Sequence, residues 1–123
     1  KQIAGAEVSA AIPSPLIFHF DFGATECSHT AEDLAVMALF KQYLSQHAEA
    51  ALMVIGHSDN VGTAAINMAV SSERAEFIKH LLVSSGIEEG RMTVSGKGIN
   101  EPVADNNTAM GRAANRRAEV KVE

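Results

Sequence analysis

Cysteine is almost missing from this chain. Cys27 stands alone, so no internal disulfide can form, and the neighbouring ligands of a zinc or redox motif are absent. Aromatic residues make up only 5% and include no tryptophan, which removes the stacking platforms that single-stranded nucleic acids use. Positive charge is also scarce. Ten Lys and Arg face fifteen Asp and Glu for a net charge of -5, so nucleic acid phosphates and anionic membrane surfaces would both repel the molecule. No apolar run approaches the roughly 20 residues of a membrane-spanning helix. The opening Lys1-Gln2-Ile3 is neither an initiator methionine nor a signal peptide, so the chain is expected to be a mature product or an excised domain whose anchor lies elsewhere. What remains is 123 residues with 46% hydrophobic and 20% charged side chains, enough for one core and one domain.

Residues 1–14 are rich in alanine and small polar groups and run into Pro13 and Pro15, which predicts a linker or loosely docked segment before a domain spanning 15–123. Leu16-Ile17-Phe18-His19-Phe20 is short and β-favouring, and Asp21 and Gly23 bound it as a first strand. Thr30-x-x-Asp33 is a capping-box variant that opens a helix with Val36, Met37, Phe40 and Leu44 at steps of three and four. Ala51 to Ile55 is a continuous apolar run ending at Gly56, the pattern of a strand covered on both faces. A second helix is predicted from about Ala64 to Ser85, with Ile66, Val70, Phe77 and Leu81 in one apolar arc and Gly86 as its stop. Arg91 to Ser95 and Ala118 to Val122 complete the strands, with a polar loop over 100–108 and a short helical turn near Met110 to Ala114 between them. The order β-α-β-α-β-(α)-β predicts an α+β fold, with two main helices on one face of a four-stranded mixed sheet.

The chemistry concentrates in Gly56-His57-Ser58-Asp59-x-x-Gly62, followed by Asn67 and Ser71-x-x-Arg74. Asp59 falls on the strand-to-helix turn. Asn67 and Arg74 are two helical turns apart, about 10.5 Å along the axis, at the border of the apolar arc. An arginine so placed binds a carboxylate through two parallel charge-assisted hydrogen bonds, and a nearby aspartate accepts from an ammonium. Together they would hold a small zwitterion. The plainer alternative is that Asp59 is a turn former or forms a structural ion pair with Arg74.

These segments, with Gly96-x-Gly98, Pro102, Asn106-x-Thr108, Gly111-Arg112 and Asn115-Arg116-Arg117, resemble the OmpA-like peptidoglycan-binding domain in order and spacing. Phe20-Asp21-Phe22 is similar to that family's opening strand motif, and the likeness extends from Leu16 to Glu123. The resemblance implies a non-enzymatic, cofactor-free module. It would bind peptidoglycan through the diaminopimelate residue of the stem peptide and anchor a larger protein in the periplasm of a Gram-negative bacterium. Asp59 would take the diaminopimelate ammonium and Arg74 its carboxylate, with Asn67, Arg116, Asp21 and Ser58 lining the pocket. Ser58 stands where the family favours threonine, and Gly23 where some members carry a polar side chain. A protein-interaction or flagellar motor stator module on the same fold is the alternative, and a homodimer remains open.

Other motifs carry blander readings. His19-x-Asp21 and His57-x-Asp59 each put two metal-ligand types on one side of a strand, but zinc would require two strand ends to converge. Gly96-x-Gly98 lacks the third glycine and the following helix of a dinucleotide fingerprint. Arg112, Arg116 and Arg117 form a basic cluster without the aromatic partners that a nucleic-acid surface needs. Cys27 has no identifiable base for work as a nucleophile. A cell-wall hydrolase using Asp21, Glu26 or Asp59 lacks a defined acid and base pair.

Overall fold

The structure is a computed structural model that describes residues 12–123, so residues 1–11 of the expected linker lie outside the described part. Strand β1 (Leu16–His19) leads to helix α1 (Ala31–Gln46), strand β2 (Leu52–Gly56) and helix α2 (Ala64–Ser84). A 3-10 turn (Glu89–Arg91), strand β3 (Met92–Gly96), helix α3 (Ala109–Asn115) and strand β4 (Arg117–Val122) complete the order. The sheet runs β1-β4-β2-β3. β2 and β3 are parallel, whereas β4 is antiparallel to both β1 and β2. The fold is α+β with a mixed four-stranded sheet, as predicted.

Period-two alternation explains the core. Leu16 and Phe18 of β1, Leu52 and Val54 of β2, and Ala118 and Val120 of β4 point to one face and are buried there. Met37, Phe40 and Leu44 of α1 and Ala75, Ile78 and Leu82 of α2 cover that face. The other face is only partly closed: Ile55 is buried, Met53 half-buried and Ile17 exposed. Thr30 caps α1 with the full reciprocal box, its hydroxyl accepting from Asp33 N–H while the Asp33 carboxylate accepts from Thr30 N–H.

The inner face of α2 departs from the expected one. Its buried residues are Asn67, Ser71, Arg74, Ala75, Ile78 and Leu82. Ile66, placed on the core side by its hydropathy, is exposed, and Val70, Phe77 and Leu81 flank the contact. The helix is rotated by about one residue, or 100°, which puts the polar residues of its first half on the sheet. Gly56 makes this approach possible: a Cβ there would lie 1.8 Å from the Ser71 carbonyl oxygen. Arg91 also differs, sitting in the 3-10 turn rather than in β3. It donates to the carbonyls of Leu44, His47 and Ala50, closing the C-terminal end of α1.

Candidate functional site

Because β1 and β2 both run antiparallel to β4, their C-terminal ends emerge on the same side, beside the start of β4. Phe20 N–H donates to the Arg116 carbonyl and His57 N–H to the Arg117 carbonyl, so the chain leaving each strand is pinned to β4. After β1 the chain turns at once, with Ala24 N–H donating to the Asp21 carbonyl. Gly23, third in that turn, has φ +73, a conformation that glycine adopts without strain. After β2, Ser58 N–H donates to the Gly98 carbonyl and Asp59 folds back, its Oδ1 accepting from Val61 N–H at 3.1 Å. Asn67 of α2 holds this second turn by donating to the Val61 carbonyl at 3.0 Å.

A hollow of about 100 Å³ lies between the two turns and α2, lined by Phe22, Gly23, Ser58, Asp59, Val61, Ile66, Asn67, Val70 and Arg74. Arg74 is 1% exposed and is fixed by three backbone carbonyls. Nε donates to Ala24 at 2.8 Å, Nη1 to His57 at 3.0 Å and Nη2 to Asp21 at 3.4 Å. Its guanidinium carbon stands 5.2 Å from the centroid of the Phe20 ring, a cation–π contact that adds to the anchoring. Guanidinium has five N–H donors, so these three bonds leave two uncommitted.

Arg74 has no carboxylate at ion-pair distance among the described residues; the partner of Asp59 is Arg116, with Nη1 3.3 Å from Oδ2. The structural Asp59–Arg74 ion pair considered from the sequence is therefore not formed. Burial pulls the Arg74 pKa down, the charge of Asp59 opposes the shift and that of Arg116 adds to it. A guanidinium solvated by neutral carbonyls keeps its positive charge facing the hollow, where an incoming carboxylate gains most. Asp59, 4% exposed, retains free lone pairs for an ammonium.

Asp59, Arg74, Asn67 and Ser58 of the sequence-derived set thus meet at one hollow. Ser58 donates its hydroxyl to the Asp59 carbonyl. Arg116 pairs with Asp59 but is not part of this lining, and its Nε donates to the Phe20 carbonyl at 2.9 Å. Asp21 serves the hollow through its carbonyl, while its exposed side chain lines, with Arg116, a neighbouring hollow. Sequence reasoning missed the exposed apolar rim of Phe22, Val61 and Ile66. The only available signal was their position beside Asp21, Asp59 and Asn67.

His57 and Asp59 do not act together. Asp59 faces Arg116, whereas the buried His57 ring lies 3.8 Å from Glu119 Oε2, too far for a hydrogen bond. Neither ring nitrogen has a hydrogen-bond partner among the described residues. Glu119 instead accepts from Arg117 Nε at 2.8 Å. Burial first, and then the charge of Arg117, push the His57 pKa below its ordinary value against the pull of Glu119. Burial and Asp33 push the Cys27 thiol up, away from the thiolate form that a nucleophile needs.

Residues 19–116 match the sequence signature of the OmpA family. Outer membrane porin F of Pseudomonas aeruginosa is 40% identical over 106 residues, covering 85% of this chain and 29% of the porin. The peptidoglycan-binding protein ArfA of Mycobacterium tuberculosis is 32% identical over 101 residues, covering 82% of this chain and 31% of ArfA. The chain thus spans less than a third of either relative. The crystal structure of the peptidoglycan-associated lipoprotein from Burkholderia pseudomallei superimposes with a TM-score of 0.75 at 28% identity, covering 87% of this chain and 89% of that one.

Proposed function

The chain belongs to the OmpA family, and we propose that it binds peptidoglycan non-covalently through the diaminopimelate residue of the stem peptide. In this reading it anchors a larger envelope protein to the cell wall in the periplasm of a Gram-negative bacterium. The observation that carries the reading is a buried carboxylate, Asp59, and a buried guanidinium, Arg74, lining one hollow without pairing to each other. The diaminopimelate side chain ends in an ammonium and a carboxylate on one carbon. Asp59 accepts from the first, and the two uncommitted Arg74 donors take the second as a fork. At about 100 Å³ the hollow holds about three waters' worth of volume, which suits a side-chain tip rather than a whole sugar or peptide. The similarity to relatives named as peptidoglycan-binding and peptidoglycan-associated supports the same reading.

We read the site as binding without catalysis. The Asp59 oxygens are engaged by Val61 and Arg116, Arg74 is tied to backbone, and the Cys27 thiol is held protonated by burial. Incubation with purified sacculi tests this, because release of soluble fragments would refute it. For the ligand, calorimetry with a diaminopimelate-containing stem peptide is decisive. Asp59→Ala is expected to weaken binding by about 2–5 kcal/mol, since it leaves the ammonium desolvated and unpaired. Unchanged affinity in a folded variant would sink the proposal.

A further inference from the structure

We propose that the neighbouring hollow, on the far side of Arg116, is a second subsite that takes the peptide residue following diaminopimelate. The inference rests on the function proposed above. This hollow measures about 330 Å³ and is lined by His19, Phe20, Asp21, Ala113, Ala114 and Arg116. It shares two structures with the first hollow: the Asp21–Ala24 turn and the Asp59–Arg116 ion pair.

The first hollow admits only a side-chain tip, so everything attached to that tip must leave across the rim. The rim has two unlike sides. Phe22, Val61 and Ile66 make one side apolar, with Phe22 as much as 68% exposed. On the other side stands Asp59, whose partner Arg116 lines the neighbouring hollow together with Asp21. Methylene groups suit the first side, whereas a peptide group brings a donor and an acceptor that lose energy unless both are met. Arg116 uses Nε on the Phe20 carbonyl and one Nη1 hydrogen on Asp59, so three of its five N–H donors have no acceptor among the described residues. They can donate to a carbonyl or terminal carboxylate oxygen. The exposed Asp21 carboxylate at the mouth can accept the peptide N–H. Ala113 and Ala114 of α3 form a wall of small side chains, which leaves room for a small residue and closes against a larger one once they are enlarged.

Calorimetry on the whole chain with two synthetic probes tests this: a tripeptide ending in diaminopimelate amide, and the same peptide extended by one alanine with a free carboxylate. A gain of about tenfold in affinity for the extended peptide is expected, the worth of one charge-assisted hydrogen bond. Ala114→Leu, which fills the hollow, should erase that gain while leaving tripeptide affinity unchanged. His19→Ala, at an exposed strand position, should reduce the gain and guards against misfolding of the helix variant. Equal affinity for the two probes, or a gain that survives both substitutions, overturns the second subsite alone. Failure of both probes to bind overturns the proposed function and this subsite with it.

Discussion

The two halves of helix α2 bury the same face against the same sheet with opposite chemistry. The second half contributes Ala75, Ile78 and Leu82, all fully buried in the apolar core. The first half contributes Asn67, Ser71 and Arg74, equally hidden and each bonded to backbone. Asn67 holds Val61, Ser71 donates to Met68 and accepts from Gly98 N–H, and Arg74 holds three carbonyls. Apolar burial there would stabilise at about 25 cal/mol per Å², whereas a buried ion at best recovers its desolvation cost. The helix keeps its core at one end and gives up some of that stabilisation at the other to hold a charge in place.

Three substitutions test this division. The largest expected effect is in the apolar half, where Ile78→Ala should lower unfolding free energy by about 2–5 kcal/mol. Peptide affinity of the folded protein should not change, and urea denaturation paired with calorimetry reads both. A loss of affinity without loss of stability would erase the distinction between the halves.

Arg74→Lys sharpens the contrast from the other side. One ammonium cannot serve three carbonyls and a carboxylate fork, so affinity should fall by about tenfold or more. Stability should fall by about 1–3 kcal/mol as carbonyls lose their donors. Full retention of affinity would show that Arg74 acts only as a point charge.

The smallest effect concerns His57, whose carbonyl carries Arg74. Burial of its ring, and then the charge of Arg117, hold its pKa below the ordinary 6.5, with Lys121 acting the same way and Glu119 and Glu101 opposing. Between those two values the unfolded chain binds the proton more readily than the folded one. Stability should therefore be constant above about pH 6.5, fall as pH drops through that value, and level off below the folded pKa. Comparing thermal melts of wild type and His57→Leu across that window isolates the term. An unchanged pH slope in the variant would assign the acid sensitivity to other groups.

The same contrast explains what could be read from the sequence. Period-two strands and the Thr30–Asp33 box are local signals, and the structure contains both. Along α2 the local signal marks the helix and its length but not its orientation. Hydropathy assigns Ile66, Phe77 and Leu81 to the inner arc and Arg74 to its border, whereas the fold exposes Ile66, leaves Phe77 and Leu81 at the flank and buries Arg74 with Ile78 and Leu82. That inversion depends on Gly56 and on carbonyls of Asp21, Ala24 and His57, and backbone acceptors leave no trace in residue type. For the same reason, Asp21 was named as a lining residue only through the resemblance, and no residue type announces that its carbonyl accepts from Arg74. Arg116 was placed in the lining, whereas it pairs with Asp59 and lines the neighbouring hollow.

Arg74 is held by backbone oxygens from two separate loops, and this bears on timing. Under the proposed function the direction of the guanidinium is set by the fold's own backbone rather than by the guest, so association rates should vary little among related guests. Selectivity would reside in how long each guest stays, and the dissociation rate becomes the quantity through which substitutions around the rim act.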